Sequence, residues 1–383
     1  MTRKTTSNRD NLILLETVRD NGSGMSDEPR NDGREEACLD NIKLSLSIVS
    51  CDSKSTWDDY VARLESANFL QSWDFYEFHR ARGKEVVRKL IYKDQKIVGA
   101  YAGVVETARR GRYMAIAGGP LIDWDDAEVI DAVFQDIRTE GQKHNCVFVR
   151  VRPQRELSDE SLECLKNHGL TPAPMYLSVE YAGLLDLHQT EAEILAGASQ
   201  GFRRKLRKAK KADITVTADD SEESINEFCK LEKLHAERQK YVAFSSDFLK
   251  QQFEAFKKGG EVLIYTARKD GEILAQNFMI FYGIEASYHY GVSSELGTKY
   301  SAAPLLHLAA MEEARRRDMT RYNLWGIVGK DETSHRFYGV SEFKRSFGCA
   351  EYHYTPAHDM ILNPFKYQIN KMVETLRKIR RHV

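Results

Sequence analysis

Along this chain a two-residue alternation of apolar and polar positions gives way to a helical period and then returns. It does so twice, about 175 residues apart. The first copy runs over 87–153. It predicts a strand, a Lys93-Asp94-Gln95 turn, strands over 97–105 and 113–117, a helix over 127–144 and a strand over 146–151. The second copy runs over 261–327 with the same order: a strand, a Lys269-Asp270-Gly271 turn, strands over 273–282 and 286–291, a helix over 304–318 and a strand over 321–325. Lys93 and Lys269 are 176 residues apart, and Phe148 and Tyr322 are 174 apart. Self-similarity at that length implies a duplicated domain rather than a solenoid. Two such domains side by side create a cleft between them, a common place for a ligand.

The remaining pattern fills in around the two copies. An alternating strand over 42–49 opens the fold, followed by a helix over 57–65 and a second one starting at Asn68-Phe69-Leu70-Gln71-Ser72-Trp73. Thr171-Pro172-Ala173-Pro174 marks the connection between halves, and a strand over 179–187 leads into the second. A strongly basic helix over 201–211, a strand over 214–217 and helices over 222–239 and 246–257 precede the second copy. An amphipathic helix over 359–383, expected to pack back on the first domain, ends the chain. Residues 1–40 are polar and broken by Asn-Gly and Asn-Asp-Gly, with little apolar surface to offset the entropy of ordering. The expected organisation is a disordered extension over 1–40, an α/β domain over 41–176 completed by a C-terminal helix over 358–383, and a second α/β domain over 177–357.

Composition narrows the function classes. The chain is 42% hydrophobic and 30% charged, with a formal net charge of −1, so overall charge selects no partner. No apolar run reaches the roughly 18 residues that span a bilayer. The apolar stretch over 12–15 is too short for the core of a secretory leader, which predicts a cytoplasmic protein. Six scattered cysteines, with no Cys-x-x-Cys pair and no histidine at ligand spacing, read as reduced thiols rather than a zinc site or a disulfide framework. His235, His289, His307 and His335 pair with nothing at the level of sequence, and no Ser/His/Asp or Cys/His constellation is present.

Local clusters carry the chemistry instead. Residues 203–211 hold seven cations in nine positions, among them Arg204, Arg207 and Lys208, and are read as covering nearly every face of their helix. With no aromatic residue among them, they suit phosphate contact rather than base readout. Tyr288 and Tyr290, two residues apart in a strand, are expected on one face. Lys344, after a long loop and ahead of a predicted strand beginning at Ser346-Phe347-Gly348, offers a cation that can stabilise charge on a carbonyl or leaving oxygen.

Each copy of the module resembles the GNAT acyltransferase fold. An acetyl-CoA-dependent member of that fold carries a Gly-x-Gly/Ala loop whose backbone N–H groups hold pyrophosphate. The equivalent stretch here, Leu296-Gly297-Thr298-Lys299-Tyr300-Ser301-Ala302-Ala303-Pro304, has lost its Gly-x-Gly centre, and Gly118-Gly119-Pro120-Leu121 fits less well. The order of several further stretches resembles the Fem family of non-ribosomal peptidyltransferases, which move an amino acid from aminoacyl-tRNA to the stem peptide of a peptidoglycan precursor. These stretches are Phe69-Leu70-Gln71-Ser72, the run Phe202 to Ala209, Tyr288-His289-Tyr290-Gly291, the run Tyr322 to Ile327, and the run Phe343 to Gly348. The resemblance covers about 42–380 and fits the compact architecture that lacks a coiled-coil arm. It implies two tandem GNAT-like domains with a cleft between them. It implies Lys344 and Phe343 at the aminoacyl end of the tRNA, and Tyr288 and Tyr290 toward the acceptor. The implied partners are aminoacyl-tRNA as co-substrate, with no other cofactor, and a muropeptide precursor linked to UDP or to a lipid, in peripheral contact with the inner membrane face.

The sequence also departs from the family. Where compact members carry a lysine after the first helix begins, this chain has Glu77 and His79, and an expected Arg and Tyr fall near Phe244 and Phe248. His79, Arg150, Arg152 and the basic helix are therefore the substitute candidates for gripping precursor phosphates. The competing readings are an acyl-CoA-dependent N-acyltransferase, and a non-enzymatic protein binding nucleic acid or a membrane surface through the basic helix and the Arg377-Lys378-Ile379-Arg380-Arg381 tail.

Overall fold

The computed structural model describes residues 46–239 and 241–381. The expected extension over 1–40 and the first residues of the expected 42–49 strand lie outside that range. The first domain begins with β1 (Leu46–Ser50), α1 (Lys54–Val61), a 3-10 turn (Phe69–Gln71) and α2 (Trp73–Ala81). It continues through β2 (Glu85–Lys93), β3 (Lys96–Ala108), β4 (Gly111–Ala117), β5 (Leu121–Ile122), α3 (Ala127–Lys143), β6 (Cys146–Arg152), α4 (Asp159–Asn167) and β7 (Leu170–Pro172). The second domain holds β8 (Tyr181–Asp186), α5 (Glu191–Gly197), α6 (Gln200–Lys210), β9 (Thr215–Asp219), α7 (Glu222–Gln239) and α8 (Ser246–Lys257). After these come β10 (Val262–Lys269), β11 (Glu272–Tyr282), β12 (Glu285–Ser293), α9 (Glu295–Tyr300), α10 (Ala303–Arg316), β13 (Arg321–Gly326), α11 (Tyr338–Arg345) and β14 (Ala350–His353). The chain then returns to the first domain as β15 (His358–Ile361) and ends in α12 (Pro364–Arg381).

The duplication is visible in backbone detail. Each copy opens with a hairpin whose two central residues are left-handed, Asp94 and Gln95 in one and Asp270 and Gly271 in the other. That conformation matches the twist of the flanking strands. Both sheets are mixed. The first has the order β1-β2-β3-β4-β6-β15-β7, and the second β14-β8-β13-β12-β11-β10-β9. In each, an antiparallel meander joins a parallel pair (β4 with β6, β12 with β13) through a helix.

One apolar core joins the two domains. Trp57, Phe69 and Tyr76 from the first pack in a single cluster with Phe228, Phe253, Phe278 and Tyr282 from the second. Polar ties cross the same seam: the Tyr282 hydroxyl donates to Asp58 Oδ1 at 3.0 Å. Burial of this kind stabilises by about 1.5–3 kcal/mol per large side chain, so the domains are packed rather than tethered.

The C-terminal segment differs from its expected form. The sequence pattern predicts a helix from 359, but 358–361 form a strand between β6 and β7. The reason is Arg150 on β6, whose guanidinium makes two hydrogen bonds to Asp359, at 2.7 and 2.8 Å, and a third at 2.8 Å to Glu374 of α12. Pairing a buried guanidinium costs less than leaving it alone, so the acidic strand is pulled into the sheet. Arg150 is consequently engaged in an ion pair and not free to grip phosphate.

Candidate functional site

The two parallel pairs are built differently. β4 and β6 stay paired from Arg112 to Ala117 against Cys146 to Arg152. β12 and β13 pair only over Glu285–Ser287 against Arg321–Asn323 and then part. The cause is local. Phe278 of β11 faces Tyr290 and its neighbour Met279 faces Tyr288, so His289 is an extra residue in β12. Such a bulge increases twist and bends its strand away from the next one. On the other side Trp325 takes a left-handed φ of 64°, held by its N–H donating to Asn323 Oδ1 at 2.8 Å. A split therefore opens at the C-terminal ends of the parallel strands, where open α/β sheets place their ligands.

The bulge corrects one expectation directly. Tyr288 and Tyr290 do not share a face, because the inserted residue breaks the alternation between them. Tyr288 turns toward α10, with its ring 4.5 Å from His307. Tyr290 turns toward the interdomain core, 5.2 Å from Phe244 and 5.7 Å from Phe278. His289 lies on that second side, 4.8 Å from Phe69 of the first domain, with Nδ1 unpartnered.

Lys344 reaches into the split. The sequence predicts it just ahead of a strand after a long loop, but it sits on the last turn of α11 and is only 6% exposed. Ser341 one turn earlier faces the same way and fixes the helix, accepting the Val328 N–H at 3.0 Å and donating to Phe337 O at 2.9 Å. Lys344 Nζ donates to the Gly326 carbonyl at 2.7 Å and lies 5.6 Å from the Tyr288 ring centroid. No carboxylate among the described residues is within ion-pair distance of it, and burial pulls its pKa down from the ordinary 10.5 to about 7. An ammonium buried without a counter-ion is unstable, and a negative charge developing beside it would relieve that instability. His307 packs nearby with Nδ1 2.8 Å from the Tyr322 hydroxyl and Nε2 without a partner. Burial, and then the Lys344 charge, hold it near 3, so the imidazole is neutral. Phe343 closes the site from α11, 5.6 Å from His307 and 5.3 Å from Phe347.

The basic helix adjoins this site. Phe202, Leu206 and Ala209 form a buried stripe on α6, so its cations cover the outer faces and not the whole circumference. Phe202 packs with its ring tilted 4.3 Å from that of Phe347, and the Ser199 N–H donates to Ser346 O at 2.9 Å, which fixes α6 to the segment after Lys344. Arg204 and Arg207 are exposed and make no ion pair among the described residues, while Lys208 donates to the Lys299 carbonyl. Arg203 is spent on the carbonyls of Leu195, Ala196 and Ala198.

His79 belongs to the interdomain seam. It sits on α2 between Phe75 and Phe78, and burial lowers its pKa to about 4. Rings in contact run from Phe78 through Phe248 and Phe244 to Tyr290, so His79 and Tyr290 edge one aromatic wall across the domain boundary. Arg152 does not join them. Its guanidinium is buried over Tyr354 at 4.8 Å and bonded to Ser178 Oγ at 2.6 Å and Gln154 Oε1 at 2.7 Å. It braces the end of β6 and has no free face for phosphate. Beside it, an open groove of about 260 Å³ runs along the boundary between Glu65, Gln154, Arg321, Tyr352 and Tyr354.

The stretch aligned with a coenzyme A loop is folded as α9, and its glycine has a packing role. A Cβ on Gly297 would collide with the Leu274 carbonyl oxygen. Pro304, at the start of α10, has no N–H to offer a phosphate. His307, the neutral partner beside Lys344, had no signal in the sequence, since its neighbours come from three separate elements.

Residues 53–168 match the FemAB family, and residues 197–345 match the acetyltransferase (GNAT) domain family. Among solved structures, FemX superposes with a TM-score of 0.79 at 16% identity, covering 85% of this chain and 100% of that one. A tandem GNAT protein from the clavulanic acid biosynthesis pathway gives a TM-score of 0.52 at 13% identity, covering 83% of this chain and 98% of that one. A protein of unknown function from Bacteroides thetaiotaomicron gives 0.54 at 12% identity, covering 83% and 99%. The fold is thus two GNAT-like α/β domains in tandem, an acyltransferase architecture.

Proposed function

We propose that the chain, which matches the FemAB family over its first domain and superposes on FemX, acts as a Fem-type enzyme that transfers an amino acid from aminoacyl-tRNA to the stem peptide of a peptidoglycan precursor. The observation that carries the reading is Lys344, buried without a counter-ion in the strand split of the second domain. The acceptor amine attacks the ester carbonyl carbon, a C–N bond forms, the bond to the ribose oxygen breaks, and the amine's surplus proton ends on the ribose hydroxyl. Lys344 stabilises the oxyanion in between, an effect worth roughly 10²–10³ in rate for one well-placed donor. Phe343 and Tyr288 shape the acyl site. Tyr290 and His79 border the acceptor cleft, and Arg204, Arg207 and Lys208 hold tRNA phosphates.

The ester is already activated, so positioning and charge stabilisation suffice and the reading calls for no metal or redox cofactor. The acceptor is linked to UDP or to a lipid, and the enzyme acts in the cytoplasm at the inner membrane face. The test incubates the protein with charged total tRNA and muropeptide precursors and reads precursor mass. A gain of one amino-acid residue that ribonuclease abolishes is the expected result. A gain that instead requires an acyl-coenzyme A, and is indifferent to ribonuclease, would overturn the reading in favour of an N-acyltransferase.

A further inference from the structure

The terminal helix α12 has two opposite faces. Inward, Tyr367 and Asn370 are buried, the Tyr367 hydroxyl donates to Asp359 at 2.9 Å, and Glu374 pairs with Arg150. Outward, Phe365, Ile369, Met372 and Leu376 are 79%, 43%, 59% and 60% exposed. Their spacing of four, three and four residues lays them in one stripe along the helix. Soluble surfaces carry single exposed apolar side chains routinely, but a continuous stripe of four on one helix marks a contact surface.

Charge decides what covers it. Lys366 and Arg377 flank the stripe on one side, and Lys371 and Lys378 lie beyond Gln368 and Thr375 on the other; all four cations are exposed and none has an ion-pair partner among the described residues. The one acidic side chain of the helix, Glu374, is turned inward and already paired. A second copy of the helix would bring like charges together on both flanks of the seam, which opposes a homodimer. An apolar stripe between two rows of cations matches instead a surface that is anionic outside and apolar just beneath. We propose that the outward face of α12 docks the protein on an anionic lipid bilayer, lying in the plane of the headgroups with Phe365, Ile369, Met372 and Leu376 in the acyl boundary. This goes beyond the transfer reaction and stands without it.

The test is cosedimentation of the full chain with vesicles of equimolar phosphatidylglycerol and phosphatidylcholine, against vesicles of phosphatidylcholine alone. Binding is expected to the first, weakened by salt, and at least roughly tenfold weaker to the second. A variant with Phe365→Ser, Ile369→Ser, Met372→Ser and Leu376→Ser changes only exposed positions and should keep its melting temperature while losing the lipid. A second variant, Lys371→Glu with Lys378→Glu, should weaken binding by roughly tenfold or more. The proposal is overturned if the native chain ignores anionic vesicles, if the serine variant still binds, or if the native chain is a dimer that the serine variant dissociates.

Discussion

Replacing Lys344 with methionine should make the protein more stable and less active at once. In the folded chain burial lowers the lysine from 10.5 to about 7, whereas the unfolded chain titrates at the ordinary value. The unfolded state therefore binds more protons between those two pH values, and stability must rise as pH rises through that window. Near neutral pH the folded state carries a penalty of about 4 kcal/mol from this one group, by the conversion of about 1.4 kcal/mol per tenfold. Methionine fills nearly the same volume, removes the charge, and orphans the Gly326 carbonyl now bonded at 2.7 Å, at a cost of about 1–3 kcal/mol. The net gain expected at neutral pH is about 1–3 kcal/mol, a few degrees in melting temperature. Denaturant unfolding of both proteins should show the gain near pH 6–7 and its disappearance as pH approaches about 10. Transfer should meanwhile fall roughly 10²–10³-fold, and the loss of native kcat/KM as pH rises above about 7 should be absent from the variant. A Lys344→Met protein that is less stable than native at every pH would refute the buried, unpaired ammonium on which the reasoning rests.

Other expectations follow from the same accounting. Glu261, beside Asp74, Asp58 and Lys54 at the domain boundary, is raised to about 8 by burial and then by Asp74. Its neutral form favours folding, so stability should decline from about 4.5 to 8 as the unfolded carboxyl ionises first; Glu261→Gln should flatten that decline and gain on the order of 3 kcal/mol at its upper end, read by unfolding across pH. Asp359→Ala leaves Arg150 with Glu374 alone and should cost about 3–5 kcal/mol in denaturant unfolding, part of it recovered by adding Arg150→Met. Arg204→Glu with Arg207→Glu should raise the KM for aminoacyl-tRNA about tenfold and flatten its salt dependence, with melting unchanged; an unchanged KM would remove α6 from the tRNA site.

Much of the architecture was legible in the chain because it is local. The helices over 222–239 and 246–257 have the bounds their apolar periods predict, and the twin hairpins at Asp94 and Asp270 follow from their turn residues. The Fem and GNAT resemblances rest on the same local stretches. The stripe of Phe202, Leu206 and Ala209 is also readable, at spacings of four and three, among the seven cations of the same segment. The tertiary structure decided the rest, and each case has a long-range cause. One extra residue at His289 shows only in the register with β11, yet it sends Tyr288 and Tyr290 to opposite faces and opens the strand split. Arg150 and Asp359 are 209 residues apart, so nothing near either one shows that the pair is a buried brace. Lys344 reads in sequence as one cation among many. Only the packing of β12, β13, α10 and α11 around it strips away water and counter-ions, and desolvation, which has no sequence pattern of its own, gives it its chemistry.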